Sequence, residues 1–412
     1  MADLMQVIAG QRKERDLLMS RGYKPRSLTE RARELLKSHE IKIITGPRRA
    51  GKSTMAILML RDTRFAYLNF DDNSLLSSWD EEAVGTILRT VYPEYEYLML
   101  DEVQNLPGWH LWVSKLYRQG VNIVITGSNA HMLGSEMATV LTGRYLRVEV
   151  FPLSLQETME WNATTQPTSP SDEDEVWKYL RGGGYPETVL TPALASGYLS
   201  TLFDAIVWKD IARRHHVRNI TDLANLALWL VSSVACPISY NGIAEAVGLS
   251  SVTTAKKFAS YMSEPYLFFY LPRYNNKLRL MNRSPRKVYI IDNGFVTAKA
   301  FSLSENTGRM LENQVFIELL RRGYNPQLTM FYYRSRNDKE TDFVLRQGTR
   351  IERLIQVCAD LSNPKTKRRE VDSLIECAEE LKCTDLTIVT LKEEGMISER
   401  GFTINVVPIK QF

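Results

Sequence analysis

Cysteine and histidine are scarce in this chain of 412 residues, which contains four cysteines and five histidines. None of the cysteines lies in a CxxC pair, so the sequence indicates neither a zinc knuckle nor a disulfide framework. The four are Cys236, Cys358, Cys377 and Cys383. We interpret them as small buried apolar residues. Their scarcity is typical of a reducing compartment and predicts a cytoplasmic location.

Long apolar runs are also missing. No stretch of 18 apolar residues occurs, and residues 1–15 lack the apolar centre of a signal peptide, so we expect no membrane partner. The formal net charge of +4 is only mildly basic and does not by itself identify a nucleic-acid binder. With 44% hydrophobic and 24% charged residues, the composition is that of a globular protein of about two to four domains.

The first part of the chain alternates short apolar runs with helical patterns. Strands are predicted at residues 41–45, 65–70, 97–100, 121–126 and 145–150. Helices are predicted at residues 3–36, 52–60 and 109–118. This alternation predicts an α/β fold with a mostly parallel sheet covered on both faces. Residues 162–175 are rich in Ser, Thr, Pro and Asp and are expected to form a linker.

A glycine-containing loop joins the first strand to the helix that follows it. Residues 46–53 read GPRRAGKS and match the phosphate-binding pattern G-x-x-x-x-G-K-[ST]. Lys52 is expected to reach the β- and γ-phosphates of ATP, and Ser53 to coordinate Mg²⁺. An ordinary glycine turn is the alternative, which the flanking strand and helix disfavour. The expected nucleotide contacts are Gly46, Pro47, Arg48, Arg49, Ala50, Gly51, Lys52, Ser53 and Thr54.

Polar residues follow three further strands. Asp101 is expected to hold Mg²⁺ through water, and Glu102 to orient and polarise the attacking water. Ser128 is the candidate sensor of the γ-phosphate, because ligands of such sheets bind at the carboxyl ends of the strands. A helix cap is the alternative role for Ser128. Asn69 is expected either to hydrogen-bond Glu102 and hold it inactive or to shape a turn.

An arginine precedes the fifth strand. Arg144 lies far along the domain from its own phosphate loop. We therefore expect it to reach the γ-phosphate of a neighbouring subunit and to neutralise charge in the transition state, which requires a homo-oligomer. A surface arginine that caps a helix end is the alternative.

These motifs together resemble a family of prokaryotic AAA+ ATPases. The resemblance rests on IITGPRRAGKS (43–53), DEVQNLPGW (101–109), ITGSN (125–129), LTGRY (141–145), FPLSLQE (151–157) and RGGGYPE (181–187). It implies ATP binding and hydrolysis, a nucleotide lid after the core, and a C-terminal domain of unknown function similar to restriction endonucleases. Arg181 then stands where a lid arginine contacts phosphate; the glycine-rich turn after it explains the segment equally well.

A helix-turn-helix pattern occupies residues 239–262. Helices are predicted at 239–247 and 251–262, and a glycine in the turn between them suits a steep angle. Lys256 and Lys257 of the second helix are expected to face a DNA groove or backbone. Predicted strands at 266–271 and 287–291 add a hairpin, and the whole follows the pattern of a winged helix.

The hairpin carries the strongest local positive cluster of the chain. No acidic residue occurs from 265 to 291. We expect this cluster to contact the phosphates of double-stranded DNA. Its members are Arg273, Lys277, Arg279, Arg283, Arg286 and Lys287. A winged helix that packs against protein and a merely solvated hairpin are the two alternatives.

The segments after residue 305 resemble a nuclease fold in which an acid, an Asp and a Glu-x-Lys surround Mg²⁺. Glu312 and Asp342 match the first two positions. Where Glu-x-Lys is expected, the chain reads Gln356-Val357-Cys358, which supplies neither a metal carboxylate nor an ammonium. We therefore predict that this domain is inactive.

The sequence thus predicts an AAA+ P-loop core (1–158), a helical lid and linker (159–235), a winged helix-turn-helix (236–300) and a C-terminal α/β nuclease-like domain (301–412). The leading hypothesis is a Mg²⁺-dependent ATPase that couples its nucleotide state to the binding of DNA or protein. Its expected catalytic residues are Lys52, Glu102, Ser128 and Arg144. A nucleotide-gated DNA-binding regulator with little turnover is the alternative, and a nuclease is a weaker one.

Overall fold

The computed structural model describes residues 2–130, 140–163, 171–300 and 307–412. These residues group into two compact units. The first consists of Met1–Phe151 and Glu264–Tyr266, and the second of Pro152–Ser263 and Leu267–Phe412. Three residues from the later part of the chain therefore belong to the first unit. Much of the predicted linker, and the predicted start of the last domain at residue 301, lie outside the described residues. The boundaries between the four predicted domains stay a prediction.

A five-stranded parallel sheet forms the centre of the first unit. Its strands are β1 (Ile41–Thr45), β2 (Phe65–Asn69), β3 (Tyr97–Asp101), β4 (Asn122–Gly127) and β5 (Tyr145–Glu149). They lie in the order β2-β3-β4-β1-β5, each pair parallel. The carboxyl ends of all five strands therefore meet at one edge. The predicted parallel α/β fold is confirmed.

Helices cover both faces of this sheet. They are α1 (Ala2–Ser20), α2 (Thr29–Glu34), α3 (Lys52–Leu60), α4 (Asn73–Ser77), α5 (Glu81–Val91) and α6 (Trp109–Arg118). Successive strand residues such as Ile43 and Ile44 belong to hydrophobic cores on opposite faces, as strand geometry requires. The prediction that residues 3–36 are largely helical is confirmed, with a non-helical stretch between α1 and α2 where Gly22 and Pro25 disfavour helix.

The second unit begins with a run of helices. They are α7 (Leu155–Ala163), α8 (Asp172–Gly182), α9 (Pro186–Leu190), α10 (Ala195–Ala205), a wider helical segment (Ile206–Arg213) and α11 (Ile220–Ser232). The glycine-rich turn after α8 packs tightly. A Cβ at Gly183, whose φ is +75°, would lie 1.7 Å from Asp292 Oδ1. Asp292 in turn accepts the N–H groups of Gly184 and Gly294, at 2.7 and 2.8 Å.

A helix pair and a small antiparallel sheet follow. The elements are β6 (Pro237–Ile238), α12 (Tyr240–Val247), α13 (Val252–Ser263), β7 (Phe268–Pro272), α14 (Leu278–Arg283), β8 (Arg286–Ile290) and α15 (Asn293–Lys299). Gly248 ends α12 with φ +73°. The strands lie in the order β6-β8-β7. The two predicted helices and the hairpin are confirmed to within two residues; their assignment as a winged helix stays a prediction.

A six-stranded mixed sheet completes the second unit. Its elements are α16 (Thr307–Arg321), β9 (Met330–Arg334), β10 (Glu340–Gln347), β11 (Arg350–Val357), α17 (Pro364–Leu381), β12 (Leu386–Thr390), β13 (Gly395–Glu399) and β14 (Phe402–Pro408). The strand order is β13-β14-β12-β11-β10-β9. None of the helices among the described residues is both long enough and apolar enough to cross a membrane.

Candidate active site

The loop between β1 and α3 is shaped to hold an anion. Gly46 has φ +148°, and a Cβ there would lie 2.0 Å from the carbonyl oxygen of Val150. Gly51 has φ +93° and begins α3. Among the described residues no side chain caps this helix, so its first N–H groups remain available to a phosphate. The loop between these two glycines holds Arg48, which lies 3.7 Å from Asp71, and Arg49, whose φ is +66°.

Lys52 starts α3 and lies over the loop. Its side chain is buried. Its Nζ donates to the carbonyl oxygen of Pro47 at 3.1 Å and lies 3.4 Å from Glu102 Oε1. The ammonium of Lys52 therefore lies between the phosphate loop and the end of β3, and the buried cation is placed to bind an anion at the edge of the sheet.

Ser53 and Asp101 lie together at the same edge. Ser53 Oγ donates to Asp101 Oδ1 at 2.8 Å. The hydroxyl of Thr126 donates to the same oxygen, and Tyr67 OH donates to Asp101 Oδ2 at 3.3 Å. Burial, and then the charge of Glu102, raise the pKa of Asp101 to about 6. A hydroxyl beside a carboxylate is the donor set expected of a Mg²⁺ site in a P-loop protein.

Glu102 follows β3 with a left-handed backbone, at φ +51°. Ser128 Oγ donates to its Oε2 at 2.9 Å, and the Gln104 amide donates to the same oxygen. Burial alone would raise the pKa of Glu102, but the Lys52 ammonium and these two hydrogen bonds bring it below its ordinary value. The backbone N–H of Glu102 donates to Thr126 Oγ1 at 3.0 Å. Glu102 is thus an ionised carboxylate held in one position.

The hydrogen bond expected between Asn69 and Glu102 is not present. Asn69 Nδ2 donates to Glu14 Oε1 at 3.3 Å, and its Oδ1 accepts the N–H of Asp71 at 2.9 Å. The short amide side chain, at the end of β2, binds its own turn instead. Gln104 makes the contact that was expected of Asn69. The position of Gln104, two residues after Glu102, could have indicated this contact from the sequence. The sequence analysis did not identify Gln104, nor did it identify Thr126 and Tyr67.

Arg144 lies at the amino-terminal ends of the strands, opposite the phosphate loop. Its carbonyl oxygen accepts the N–H of Ile41, the first residue of β1, at 2.9 Å. The side chain is exposed and lies over the ring of Tyr117, 5.8 Å from its centroid. The length of β1 separates Arg144 from its own phosphate loop by on the order of 16 Å.

Arg181 lies in the last turn of α8 in the second unit. Its side chain is exposed and lies 5.3 Å from the ring centroid of Trp177. Its carbonyl oxygen accepts the hydroxyl of Thr297 at 2.7 Å. The contacts between the tight glycine turn and Asp292 account for the glycine-rich sequence after Arg181 by packing alone.

Half of the expected basic cluster is accessible: Lys277, Arg279 and Arg283 are exposed. Lys256 and Lys257 of α13 are exposed as well. Arg286 is half-buried, as is Arg273, which donates to the carbonyl oxygen of Arg334 at 2.8 Å. Lys287 was wrongly assigned to this surface, because it is 1% exposed and its ammonium is paired with carboxylates inside the second unit.

The two acids of the nuclease-like pattern, Glu312 and Asp342, do lie close together. Both are buried, and both contact the Nζ of Lys287. Burial, and then the charge of Asp342, raise the pKa of Glu312 to about 7. Sequence reasoning missed Glu340 and Tyr289, which complete this cluster. Within the described residues, no group of three or more His, Cys, Asp or Glu side chains is arranged to hold a metal ion.

Family models divide the chain into three parts. A model described as "AAA domain" matches residues 38–159. Two models, each described as a domain of unknown function (DUF8612 and DUF4143), match residues 173–306 and 307–412.

Similar proteins span most of the chain. The uncharacterized protein MJ1544 of Methanocaldococcus jannaschii is 31% identical over 392 residues, covering 90% of this chain and 87% of that protein. An uncharacterized protein of Haemophilus influenzae is 29% identical over 361 residues, covering 83% and 87%. Among solved structures, the Walker-type ATPase PABY2304 of Pyrococcus abyssi is 14% identical with a TM-score of 0.45, covering 68% of this chain and 99% of that one.

Proposed function

Since this chain belongs to the same protein family as its Methanocaldococcus jannaschii relative and carries an AAA domain, we propose that it is a Mg²⁺-dependent ATPase. We further propose that it couples its nucleotide state to the binding of double-stranded DNA or a protein partner. The single observation that carries the hydrolysis proposal is the convergence of Lys52, Asp101 and Glu102 on one edge of the sheet. All four cysteines are free thiols, which supports a cytoplasmic setting.

The residues present fit ATP and Mg²⁺. Gly46 allows the loop to approach Val150 closely, and the uncapped start of α3 offers N–H groups to phosphate oxygens. Lys52 supplies a buried ammonium for the β- and γ-phosphates. Ser53 Oγ and the Asp101 carboxylate, 2.8 Å apart, supply oxygen ligands for the metal. When bound, Mg²⁺ neutralises phosphate charge as the γ-phosphoryl group is transferred.

Glu102 is the residue placed to act on the attacking water. Its pKa is lowered, so it is ionised at neutral pH and accepts a hydrogen bond from water. When phosphate oxygens draw Lys52 away, Glu102 Oε1 loses its partner at 3.4 Å and becomes available to that water. Ser128, which donates to Oε2, holds the carboxylate in place and lies where a γ-phosphate can be sensed.

Arg144 completes the site from a neighbouring copy of the chain in this proposal. Its exposure and its place at the amino edge of the sheet support a role in trans, because its own phosphate loop is on the order of 16 Å away. An arginine finger at a subunit interface would stabilise the transition-state charge. The alternative is a surface arginine stacked on Tyr117.

The segment Glu264–Tyr266 supports coupling to the helix pair. It follows α13 directly and belongs to the first unit. The carbonyl oxygen of Glu264 accepts the N–H of Ala130 at 2.6 Å, two residues after Ser128. A shift of Ser128 on binding or losing the γ-phosphate would therefore pull on the carboxyl end of α13.

Tyr266 links the same segment to the phosphate loop. Its hydroxyl accepts a hydrogen bond from Arg147 at 2.8 Å and donates to Glu149 Oε1 at 3.1 Å. Arg147 Nε donates to Thr45 Oγ1 at 3.1 Å, and Thr45 immediately precedes Gly46. The segment Glu264–Tyr266 is thus tied to residues on both sides of the phosphate site.

The partner surface in this proposal is a winged helix formed by α12, α13 and the β7–β8 hairpin. Its basic residues support binding to DNA phosphates; they are Lys256, Lys257, Arg273, Lys277, Arg279, Arg283 and Arg286. Exposed Leu278 and Leu280 on α14 favour the alternative of a protein partner. Arg181 remains the candidate lid arginine, and it has a solvent-exposed side chain.

One observation favours a second candidate function, a nucleotide-gated regulator with little turnover. Gln104 and Ser128 both donate to Glu102 Oε2, and Lys52 pairs with Oε1. A carboxylate with both oxygens engaged is a restrained base. In such a regulator, ATP binding would set the position of α13 and hydrolysis would only slowly reset it.

Steady-state ATP hydrolysis with Mg²⁺, with and without double-stranded DNA, tests the proposal. We expect turnover that DNA changes and that Lys52→Ala abolishes, while Lys37→Ala, which removes an exposed lysine of the same unit, leaves it intact. ATP turnover that is the same with and without DNA would favour a protein as the binding partner. Tight ATP binding without turnover would favour the regulator, and failure to bind ATP at all would contradict both functions.

A further inference from the structure

One buried cation joins three carboxylates in the second unit. Lys287, in β8, is 1% exposed. Its Nζ lies 2.9 Å from Glu312 Oε1, 2.8 Å from Glu340 Oε1 and 2.8 Å from Asp342 Oδ1. An ammonium has three N–H donors and no acceptor. Two of these contacts are hydrogen bonds, to Glu312 and Asp342, and the third is an ion pair with Glu340.

The carboxylates are held in place by other groups. Tyr289 OH donates to Glu312 Oε1 at 2.7 Å, and the N–H of Val357 donates to Asp342 Oδ2 at 2.9 Å. Arg334 donates to Glu340 Oε2 at 3.0 Å. These contacts come from different strands, so the three acids do not depend on Lys287 alone for their positions.

Carboxylate oxygens that converge on one point are the usual donor set of a divalent cation. Here the chain's own ammonium fills that point, and with the ammonium in place no group of three or more such side chains among the described residues is arranged to hold a metal ion. Burial by itself would lower the pKa of Lys287, but Asp342, Glu312 and Glu340 raise it well above its ordinary value. The three carboxylates thus favour the charged form of the lysine, and a metal ion would have to displace its ammonium.

The residue that replaces the nuclease-like third acid is engaged elsewhere. Gln356 Nε2 donates to Glu370 Oε2 at 2.8 Å. Because its amide is neutral, Gln356 adds no charge to the cluster. The negative groups around Lys287 are Glu312, Glu340 and Asp342.

We propose that the Lys287 ammonium is the resident cation of this site and takes the place of a divalent metal ion. The unaltered chain then binds no metal between these carboxylates and does not cut nucleic acid. Neutralising Lys287 leaves three prearranged acids with no cation, and so turns the cluster into a site for Mg²⁺ or Mn²⁺. This inference concerns the second unit only and does not depend on ATP hydrolysis.

The test counts bound Mn²⁺ by electron paramagnetic resonance in the full-length chain without nucleotide. Lys287→Met keeps the length of the side chain and removes its charge. Lys299→Met is the matched control, because Lys299 pairs with the exposed Asp204, away from this cluster. We expect Lys287→Met to bind one Mn²⁺ more per chain than the unaltered protein or the control, to lose that ion when Asp342→Asn is added, and to gain thermal stability from Mn²⁺.

A folded Lys287→Met chain that gains no Mn²⁺ would overturn the inference. If that variant folds only when Mn²⁺ is added, the metal has replaced the ammonium, which supports it. If Lys287→Met does not fold with or without Mn²⁺, the test uses the chain that retains Lys287. In that chain Asp342→Asn must leave the number of bound Mn²⁺ unchanged, and the chain must leave supercoiled plasmid intact with Mg²⁺ or Mn²⁺. Loss of one bound ion, or nicking that Asp342→Asn removes, contradicts the inference.

Discussion

Lys52 Nζ lies 3.4 Å from Glu102 Oε1, so the cation expected to bind phosphate is paired with the carboxylate expected to activate water. The other oxygen of Glu102 accepts from Ser128 and Gln104. If the chain is the ATPase proposed above, the restraint of Glu102 should set its basal turnover.

Gln104→Leu should raise basal ATP turnover by roughly 2- to 10-fold, the equivalent of one ordinary hydrogen bond. Removing the amide takes one of the two donors from Glu102 Oε2 and leaves Ser128 to position it, whereas Ser128→Ala should lower turnover because it loosens the position of the carboxylate. The measurement is steady-state phosphate release, with Gln119→Leu, at an exposed site on the end of α6, as the control. A Gln104→Leu variant slower than the unaltered chain would show that this amide assists rather than restrains.

Arg144→Ala should lower turnover by about 10³-fold, the usual effect of an arginine finger. The sharper test mixes it with Glu102→Gln. Each variant alone is inactive, but a mixed assembly contains interfaces with an intact Glu102 on one subunit and an intact Arg144 on the other. Recovery of turnover on mixing supports action in trans. No recovery, with Arg61→Ala as active as the unaltered chain, would assign Arg144 to the surface.

Tyr266→Phe should uncouple nucleotide from DNA. The ring stays beside Phe151, 6.3 Å between centroids, but the hydrogen bonds to Arg147 and Glu149 are lost. We expect the difference in DNA affinity between ADP and a non-hydrolysable ATP analogue to disappear in fluorescence anisotropy, while ATP turnover stays within about 2-fold. Tyr324→Phe, which removes a hydroxyl bonded to Glu352, is the control. An unchanged difference in affinity would rule out this route of coupling.

The acid stability of the second unit should depend on Asp292. Burial raises the pKa of Asp292 to about 6, against its ordinary value of 3.8. Between these values the folded chain holds a proton that the unfolded chain has released. The stability from this proton is therefore complete in acid and is lost as the pH rises through about 6.

Asp292→Asn removes this dependence. The stability advantage of the unaltered chain over the variant should shrink by on the order of 2 kcal/mol from pH 4 to pH 7, measured by urea unfolding. Asp385→Asn, at a half-exposed site in the same unit, serves as the control. An advantage that grows as the pH rises would mean that Asp292 is ionised in the folded chain.

The phosphate site was predictable because its spacing is short-range. The loop at residues 46–53, the acids at 101 and 102 and Ser128 each follow a strand, and parallel strands bring their carboxyl ends together. Side-chain choice within that edge was not predictable. Asn69 and Gln104 carry the same amide, and only the geometry of the two turns decides which one reaches Glu102.

The Lys287 cluster shows a different limit of the sequence. Lys287 stands among arginines and lysines with no acid between residues 265 and 291, so its local neighbourhood indicates a solvated positive surface. Its true partners, Glu312, Glu340 and Asp342, lie between 25 and 55 residues away. The local sequence cannot reveal ion pairs between separate strands and helices, whereas β8 itself lies within one residue of the strand predicted at 287–291.

The most direct measurement follows radiolabelled ATP through a single turnover on the unaltered chain and on Glu102→Gln, with Mg²⁺ present. If Glu102 activates water in a P-loop ATPase, the unaltered chain releases ADP and phosphate, whereas Glu102→Gln binds ATP as tightly and keeps it intact, with hydrolysis slowed by about 10²-fold or more. If both chains bind ATP and neither hydrolyses it, or if both hydrolyse it at the same rate, the proposed ATPase site is wrong.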